Sequence, residues 1–303
     1  MEQQGEHLGI EIDHRLDTVT ISSSTLNILH LNTRSCRSKM CDLVQMIDDL
    51  KYVHVVVFSE TWLYPNEICN ISNYDAYHSC RSDRAGGVSI FVLSTLKHRK
   101  IYEMMDDVNN FLIIELIDHN LKIFGVYNPG KNVQDYINKF EDTVNKNSRM
   151  LVIGDMNINL LDDKNSIVND YKHRISAQGF EIINKLHRNY ATRISNTIST
   201  IIDHAITDIS KKKISIIIND TENHISDHKA IICCIENNVV HKSKKIRKCI
   251  VNYDNVIDDD FRSQLELVTT CEDFESLCNS KINSNKHVYN VSIAKKTITT
   301  IHK

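Results

Sequence analysis

The chain reads as a mixed α/β (α+β) protein whose mixed β-sheets carry helices on their outer sides. Three observations predict this. Short apolar runs recur from residue 26 to 235, amphipathic helical stretches fall between only some of them, and other runs are separated by turns too short for a helix. Strand–helix–strand links make parallel neighbours and tight turns make antiparallel ones. Together they predict mixed sheets rather than a purely parallel, doubly wound sheet.

In chain order, residues 1–25 are polar and weakly patterned and read as an N-terminal extension. "LNILHL" (26–31) alternates as a strand, and "SKMCDLVQMIDDLK" (38–51) sets Met40, Leu43, Val44, Ile47 and Leu50 at helical spacing. "VHVVVFS" (53–59) is β-branched and reads as a buried strand. "GGVSIFV" (86–92), "FLIIELI" (111–117) and "LKIFGVY" (121–127) are further strands, the last two joined as a hairpin through "DHN". "NVQDYINKFEDTVNKN" (132–147) is an amphipathic helix with Val133, Tyr136, Ile137, Phe140 and Val144 on one face. "RMLVIGD" (149–155) is a strand, a helix is expected over 165–178, and "IIDHAIT" (201–207), "KISIII" (213–218) and "KAIICCI" (229–235) complete the strands. The domain is therefore placed at 26–240, followed by a polar, helical or partly disordered tail over 241–303 that reads as the start of a linker.

Composition bounds the function. With 41% hydrophobic residues and only two prolines in 303 residues, the chain has material for a core and little for a long disordered linker. A net charge of −3 does not advertise nucleic-acid binding, although a local basic face suffices for phosphate contacts. The clusters Lys211-Lys212-Lys213 and "HKSKKIRK" (241–248), each taken alone, read as solvated loops. Nine scattered cysteines without a C-x-x-C pair suggest reduced thiols inside a cell. The acidic N-terminus lacks the basic and apolar regions of a signal peptide, and no apolar run nears the ~18 residues of a membrane span. A soluble, intracellular protein with no membrane partner is expected.

The informative residues sit where strands end. Asn32 ends the first strand, Glu60 the second, and Tyr127 the strand before Asn128-Pro129. Asp155 and Asn157 end "LVIGDMN", Asp203 and His204 interrupt "TIIDHAI", and Asp227-His228 precede the last strand. Each alone reads as a helix cap or solvated loop residue. The ordered set has no such structural explanation, because strand ends on a common rim project into one crevice. Its chemistry suits cleavage of a phosphate ester by metal-activated water. Glu60 offers hard oxygen ligands for Mg²⁺, with Mn²⁺ the alternative. Asp203 holds the His228 ring as acid–base or charge stabiliser, and Asp155 orients or deprotonates water. Asn157 and Asn32 donate to phosphate oxygens. His204, between apolar residues, reads as a satisfied core histidine, and Trp62 as core under Glu60. Arg81 and Arg84 are candidate DNA-backbone contacts, with ordinary surface arginines as the alternative.

These motifs carry a resemblance. "LNTRS", "FSETWL", "AGGVSIFV", "VYNPG", "VIGDMN", "IIDHAIT" and "SDHKAI" follow the order seen in the exonuclease–endonuclease–phosphatase superfamily. Residues 26–237 resemble in particular the endonuclease domain of non-LTR retrotransposons, the jockey-like and LINE-type elements. The resemblance implies a DNase-I-like four-layer sandwich, two mixed sheets face to face flanked by helices. It also implies a Mg²⁺-dependent nick in DNA whose 3′-hydroxyl primes reverse transcription, a nuclear location and a monomer. Residue by residue, it makes Glu60 the main metal ligand and Asp227 the final acid near the metal. Asn32, Tyr127, Asp155, Asn157, Asp203 and His228 become the catalytic set. Two positions depart from the pattern. Arg34 stands where many nuclease relatives have aspartate, which weakens or relocates one metal contact, and Met156 replaces a common phenylalanine as a core-facing swap. Residues 241–303 contain no polymerase core, so the chain reads as an endonuclease domain plus linker.

Two other readings stay open at this point. One is a phosphoesterase of the same fold acting on a small phosphate or lipid. The other is a non-catalytic relict that binds nucleic acid.

Overall fold

A computed structural model of the protein describes residues 21–67, 69–81, 86–106, 109–144, 149–195 and 198–236. Most of the expected N-terminal extension, the expected tail over 241–303 and Arg84 lie outside the described residues.

The first half begins with β1 (Thr25–Asn32), α1 (Met40–Leu50) and β2 (Val55–Ser59), and continues with β3 (Tyr74–Ser79) and β4 (Val88–Leu93). β5 (His98–Met105), β6 (Asn110–Leu116) and β7 (Leu121–Tyr127) then form a meander. α2 (Val133–Thr143), β8 (Met150–Asp155) and α3 (Ser166–Ala177) follow. Three two-residue strands come next: β9 (Glu181–Ile182), β10 (Arg193–Ile194) and β11 (Ser199–Thr200). The described chain closes with β12 (Asp203–Thr207), β13 (Ile214–Asn219) and β14 (Ala230–Glu236).

Two six-stranded mixed sheets result, ordered β13-β14-β1-β2-β4-β3 and β5-β6-β7-β8-β12-β9. Each has one parallel pair among its main strands, β1 with β2 and β7 with β8, and in both cases a helix makes the crossover. The expected hairpin over 111–127 is present as β6 and β7, turned by Asn120 in the left-handed region (φ 45°). Helix starts follow their sequence signals: the Asn132 side chain accepts from Asp135 N, and the Asn165 side chain from Ile167 N.

Period-two alternation sorts the strand residues into three apolar layers. Ile28, Val55, Val57, Val88 and Ile90 of one sheet meet Leu112, Ile123, Leu151, Ile153 and Ala205 of the other, forming the core between the sheets. Leu29, Leu31, Val56, Phe58 and Phe91 face outward and pack on Leu43 and Ile47 of α1. Phe111, Phe124, Val126 and Val152 face outward from the second sheet onto Tyr136, Ile137 and Phe140 of α2 and Tyr171 and Ile175 of α3. This is the four-layer arrangement, helix–sheet–sheet–helix. Met156 is fully buried in the third of these layers, as its sequence position predicts.

Close approach of β7 and β8 depends on one glycine. A Cβ on Gly154 falls 2.0 Å from the Val126 carbonyl oxygen of the paired strand. That neighbour is backbone and cannot rotate aside, so Gly154→Ala forces the strands apart. The expected loss is roughly 3 kcal/mol of unfolding free energy, read as the shift in a urea midpoint; a loss below about 1 kcal/mol contradicts this register.

Candidate active site

The alternation that builds the inner core also builds the site. Along β7, β8 and β12 the residues facing the other sheet are mostly apolar until the rung where Tyr127, Asp155 and Asp203 stand side by side as cross-strand partners. Asn110 extends this rung on β6 beside Tyr127. In the facing sheet, Ile28 on the inner side of β1 is followed at the same parity by His30 and Asn32, and Asn32 pairs with Ser59 of β2. The polar ends of the two sheets then meet across the sandwich.

Asn32 makes that meeting. Its side-chain NH₂ donates to Asp155 Oδ2 at 2.7 Å and to Glu60 Oε1 at 2.9 Å, while its Oδ1 accepts from Arg34 N at 3.0 Å. Both amide hydrogens are therefore taken by carboxylates. Here Asn32 ties two acids together, reaching Asp155 across 123 residues of sequence. Asn157 lies beside it, its backbone N–H on Asp155 Oδ1 at 2.9 Å and its NH₂ on the Asn128 carbonyl at 2.8 Å. Tyr127 is buried against Gly86, where a Cβ would lie 2.7 Å from its Cε1, and burial with the Glu60 charge pushes its hydroxyl well above the usual tyrosine range.

The acid–imidazole pair sits deeper. His228 Nδ1 is 2.8 Å from Asp203 Oδ2, and both side chains are almost fully buried. Ser226 Oγ accepts the His228 amide at 3.0 Å and donates to the Asn32 carbonyl at 2.6 Å, which locks this loop onto β1. Thr192 Oγ1 accepts the amides of Ile202 and Asp203, both at 3.1 Å. Asp203 and His204 point to opposite faces of β12, as adjacent strand residues must. His204 enters the helical layer, bonded to Tyr171 Oη at 2.9 Å and to the Ile158 carbonyl at 2.8 Å, the satisfied core histidine expected.

Backbone strain gathers here. Among the described residues, nine that are not glycine have positive φ, and five of them (Arg34, Ser35, Glu60, Trp62 and Asn157) belong to the loops that carry the site. Such conformations persist where the surroundings fix them, and they cluster at functional sites. Trp62 is only partly buried and joins none of the three apolar layers, which corrects its reading as core.

Burial raises the Asp155 carboxyl to about 8, with the Asp203 charge acting in the same sense against the hydrogen bonds it accepts. Burial opposes the His228 imidazolium, but Asp203, Asp155 and Asp227 outweigh it and lift the ring to about 9. His228 in turn holds Asp203 below the usual carboxylate range against the effect of its burial. His30 is driven by burial to about 4 and is neutral, its Nε2 on Ser59 Oγ at 3.1 Å and its Nδ1 3.8 Å from Asp203 Oδ1. These directions fix a pH dependence of stability. The folded chain keeps protons on Asp155 and His228 that the unfolded chain has released by pH 7, so stability falls as pH rises toward 9. His30 and His204, both held neutral at about 4, act with the opposite sign only below the ordinary imidazole range. In EDTA the melting temperature is expected to drop between pH 7 and pH 9.5, and Asp155→Asn to shrink that drop. A flat or rising profile over this range contradicts the buried-proton assignment.

Two groups of donors bear on a cation. Ligand atoms of Asp155, Asp203 and His228 lie within 4.8 Å of one another, but Asp203 and His228 already spend their facing atoms on each other through a shared proton. Glu60 differs: it is partly exposed, its carboxylate is oriented by Asn32, and Asp155 lies on the far side of the same asparagine. One accessible carboxylate with hard oxygen donors fits a small divalent ion that keeps most of its water and shares substrate oxygens. Asp227, expected from sequence as a second ligand, has its oxygens on two guanidinium groups: Arg34 Nη1 at 3.1 Å and Arg193 Nη2 at 2.9 Å. Arg34, which stands where many relatives were expected to have an acid, pairs with this carboxylate instead.

The match to known proteins agrees with this architecture. The sequence profile described as the Endonuclease/Exonuclease/phosphatase family matches residues 24–228. The chain belongs to this family. Among solved structures it is similar to the endonuclease domain of TRAS1, a telomere-specific non-LTR retrotransposon, with TM-score 0.55, 13% identity and coverage of 70% of this chain and 98% of that one. A family protein from Leptotrichia buccalis C-1013-b gives TM-score 0.51 at 14% identity, covering 70% and 100%. D. rerio TDP2, complexed with a single-strand DNA product, gives 0.50 at 12%, covering 71% and 100%. At such identities these likenesses establish the fold. No curated protein sequence matches the chain.

Within this family fold, Asn32, Glu60, Tyr127, Asp155, Asn157, Asp203 and His228 come together at one end of the sandwich. Arg81 is only 8% exposed and its charge acts on Tyr127, so it is not an ordinary surface arginine. Sequence reasoning assigned no role to His30, Thr192, Arg193 or Ser226. His30 had a readable signal, its parity with Asn32 on β1. The others act through contacts between segments distant in sequence, which no local pattern displays.

Proposed function

We propose that the protein is a metal-dependent phosphodiesterase that nicks DNA, with Mg²⁺ held at Glu60. The observation that carries this reading is the hydrogen-bonded set Glu60–Asn32–Asp155 across the two sheets, with the Asp203–His228 pair beside it. When bound, the cation supplies polarisation of a phosphoryl oxygen and steadies the leaving alkoxide. The protein's own groups do the rest. Asp155, once ionised, accepts the proton of the attacking water; with burial holding its carboxyl at about 8, the fraction able to do so rises toward that pH. His228, as imidazolium fixed through Nδ1 by Asp203, presents Nε2 to the developing charge on phosphorus oxygens. Tyr127 pairs with Asp155 on the rung, Asn157 bonds Asp155 from the loop that follows, and Arg81 lends positive charge beside Tyr127. The TRAS1 endonuclease and the DNA product held by TDP2 support DNA over a small phosphate as substrate. The finer reading is a nick that exposes a 3′-hydroxyl primer, made by a monomer in the nucleus.

Incubating the protein with supercoiled plasmid and Mg²⁺ tests this: nicked circles are expected, and EDTA abolishes them. Robust turnover of phosphorylated small molecules with the plasmid left intact overturns DNA in favour of a small substrate.

A further inference from the structure

Asp227 holds two arginines where one would neutralise it. Arg193 grips its Oδ2 through Nε at 3.0 Å and Nη2 at 2.9 Å, and Arg34 meets its Oδ1 at 3.1 Å. One carboxylate between two guanidiniums leaves a net positive charge, and two like charges converging on one acid repel each other. As surface ion pairs they add little to stability. Both side chains remain well exposed, 49% for Arg34 and 39% for Arg193, which leaves N–H donors not spent on Asp227 accessible from solvent.

The cluster is also built into the catalytic end. Arg34 is held in the left-handed region (φ 43°), its N–H fixes Asn32, and Lys39 Nζ pins its loop through the carbonyls of Thr33 at 2.9 Å and Ile225 at 2.7 Å. Arg193 forms a backbone bridge with His228, and the Lys229 amide donates to the Thr192 carbonyl at 2.7 Å. Asp227 itself precedes His228. The backbones that carry the two arginines are therefore tied to the segments of His228 and Asn32.

We propose that Arg34 and Arg193, splayed by Asp227, form a clamp for a second phosphate of the strand being cut, so that the site takes a phosphodiester chain rather than an isolated phosphate. Guanidinium forks match phosphate oxygens bidentately, and an anion seated between the two relieves their mutual repulsion. This rests on the hydrolase reading above and adds a substrate-binding subsite to it.

The test measures binding of a fluorescent DNA duplex in EDTA across salt concentrations, alongside plasmid nicking in Mg²⁺ by the same preparations. In the Arg34→Gln/Arg193→Gln protein, the slope of log Kd against log salt is expected to become shallower by about 2, with affinity at least ~10-fold weaker at low salt. Arg34→Gln alone, which leaves the Arg193–Asp227 pair intact, loses about half of that slope. The double lysine variant keeps the slope, because it keeps both charges. If the parent nicks plasmid while the glutamine variants bind with the parent's slope and affinity, the clamp is wrong and the hydrolase reading stands. If the parent leaves plasmid supercoiled, the hydrolase reading fails and takes the clamp with it.

Discussion

Replacing His228 with alanine is expected to lower plasmid nicking by about 10³-fold, within the ~10²–10⁴ that a positioned acid–base group supplies. The same change should also destabilise the fold, and the two effects have separate causes. Asp203 is fully buried and its Oδ2 bonds the His228 ring. Without the imidazolium it is a buried carboxylate with no counter-charge, a defect that costs about 3–5 kcal/mol or forces the acid to take up a proton. Adding Asp203→Asn to His228→Ala removes the stranded charge, so the double variant should recover part of the lost stability in a urea melt and none of the nicking. If nicking returns along with stability, His228 is a packing residue and not a reacting one.

Glu60→Gln is the second large effect. Glutamine keeps an Oε1 that can accept from Asn32, now 2.9 Å away, so the loop geometry survives. What disappears is the charge on the one accessible carboxylate proposed for the cation. The expected result is a rate reduced by about 10²-fold or more at a fixed Mg²⁺ concentration, because the metal contributes several kcal/mol to the transition state. The Mg²⁺ concentration giving half-maximal nicking should rise at least ~10-fold. Thermal stability in EDTA should barely change. An unaltered Mg²⁺ dependence moves the cation elsewhere, the group of Asp155, Asp203 and His228 being the next candidate.

The parts of this molecule that can be read from sequence are those where one local rule dominates. β2 and β14 are uniform apolar runs buried on both faces, and the β6–β7 hairpin declares itself by two such runs around a short turn. β5, "HRKIYEMM", escaped because it is an edge strand with mostly exposed side chains, where charge rather than apolar alternation keeps other chains from pairing. β3, "YDAYHS", is an edge strand of the other sheet and is half-buried for the same reason. The two-residue strands β9, β10 and β11 are too short to show a period. For the site, parity along each strand made Asp155 and Asp203 inward-facing, and motif order pointed to one crevice. The hydrogen bonds that define the chemistry were beyond reach. Asn32 joins Asp155 across the two sheets, and Arg34 captures Asp227 from another segment altogether. Such pairings depend on how the sheets stack, and no stretch of sequence encodes them locally.

If residues from separate strand ends work as one hydrolytic centre, a double-mutant cycle on plasmid nicking reveals their coupling. Glu60→Ala, His228→Ala and the combination are compared with the parent in Mg²⁺. Groups that act as a unit are strongly non-additive, so the double variant should be scarcely slower than the worse single one. Losses that simply multiply, or single variants that nick at the parent's rate, contradict a shared centre.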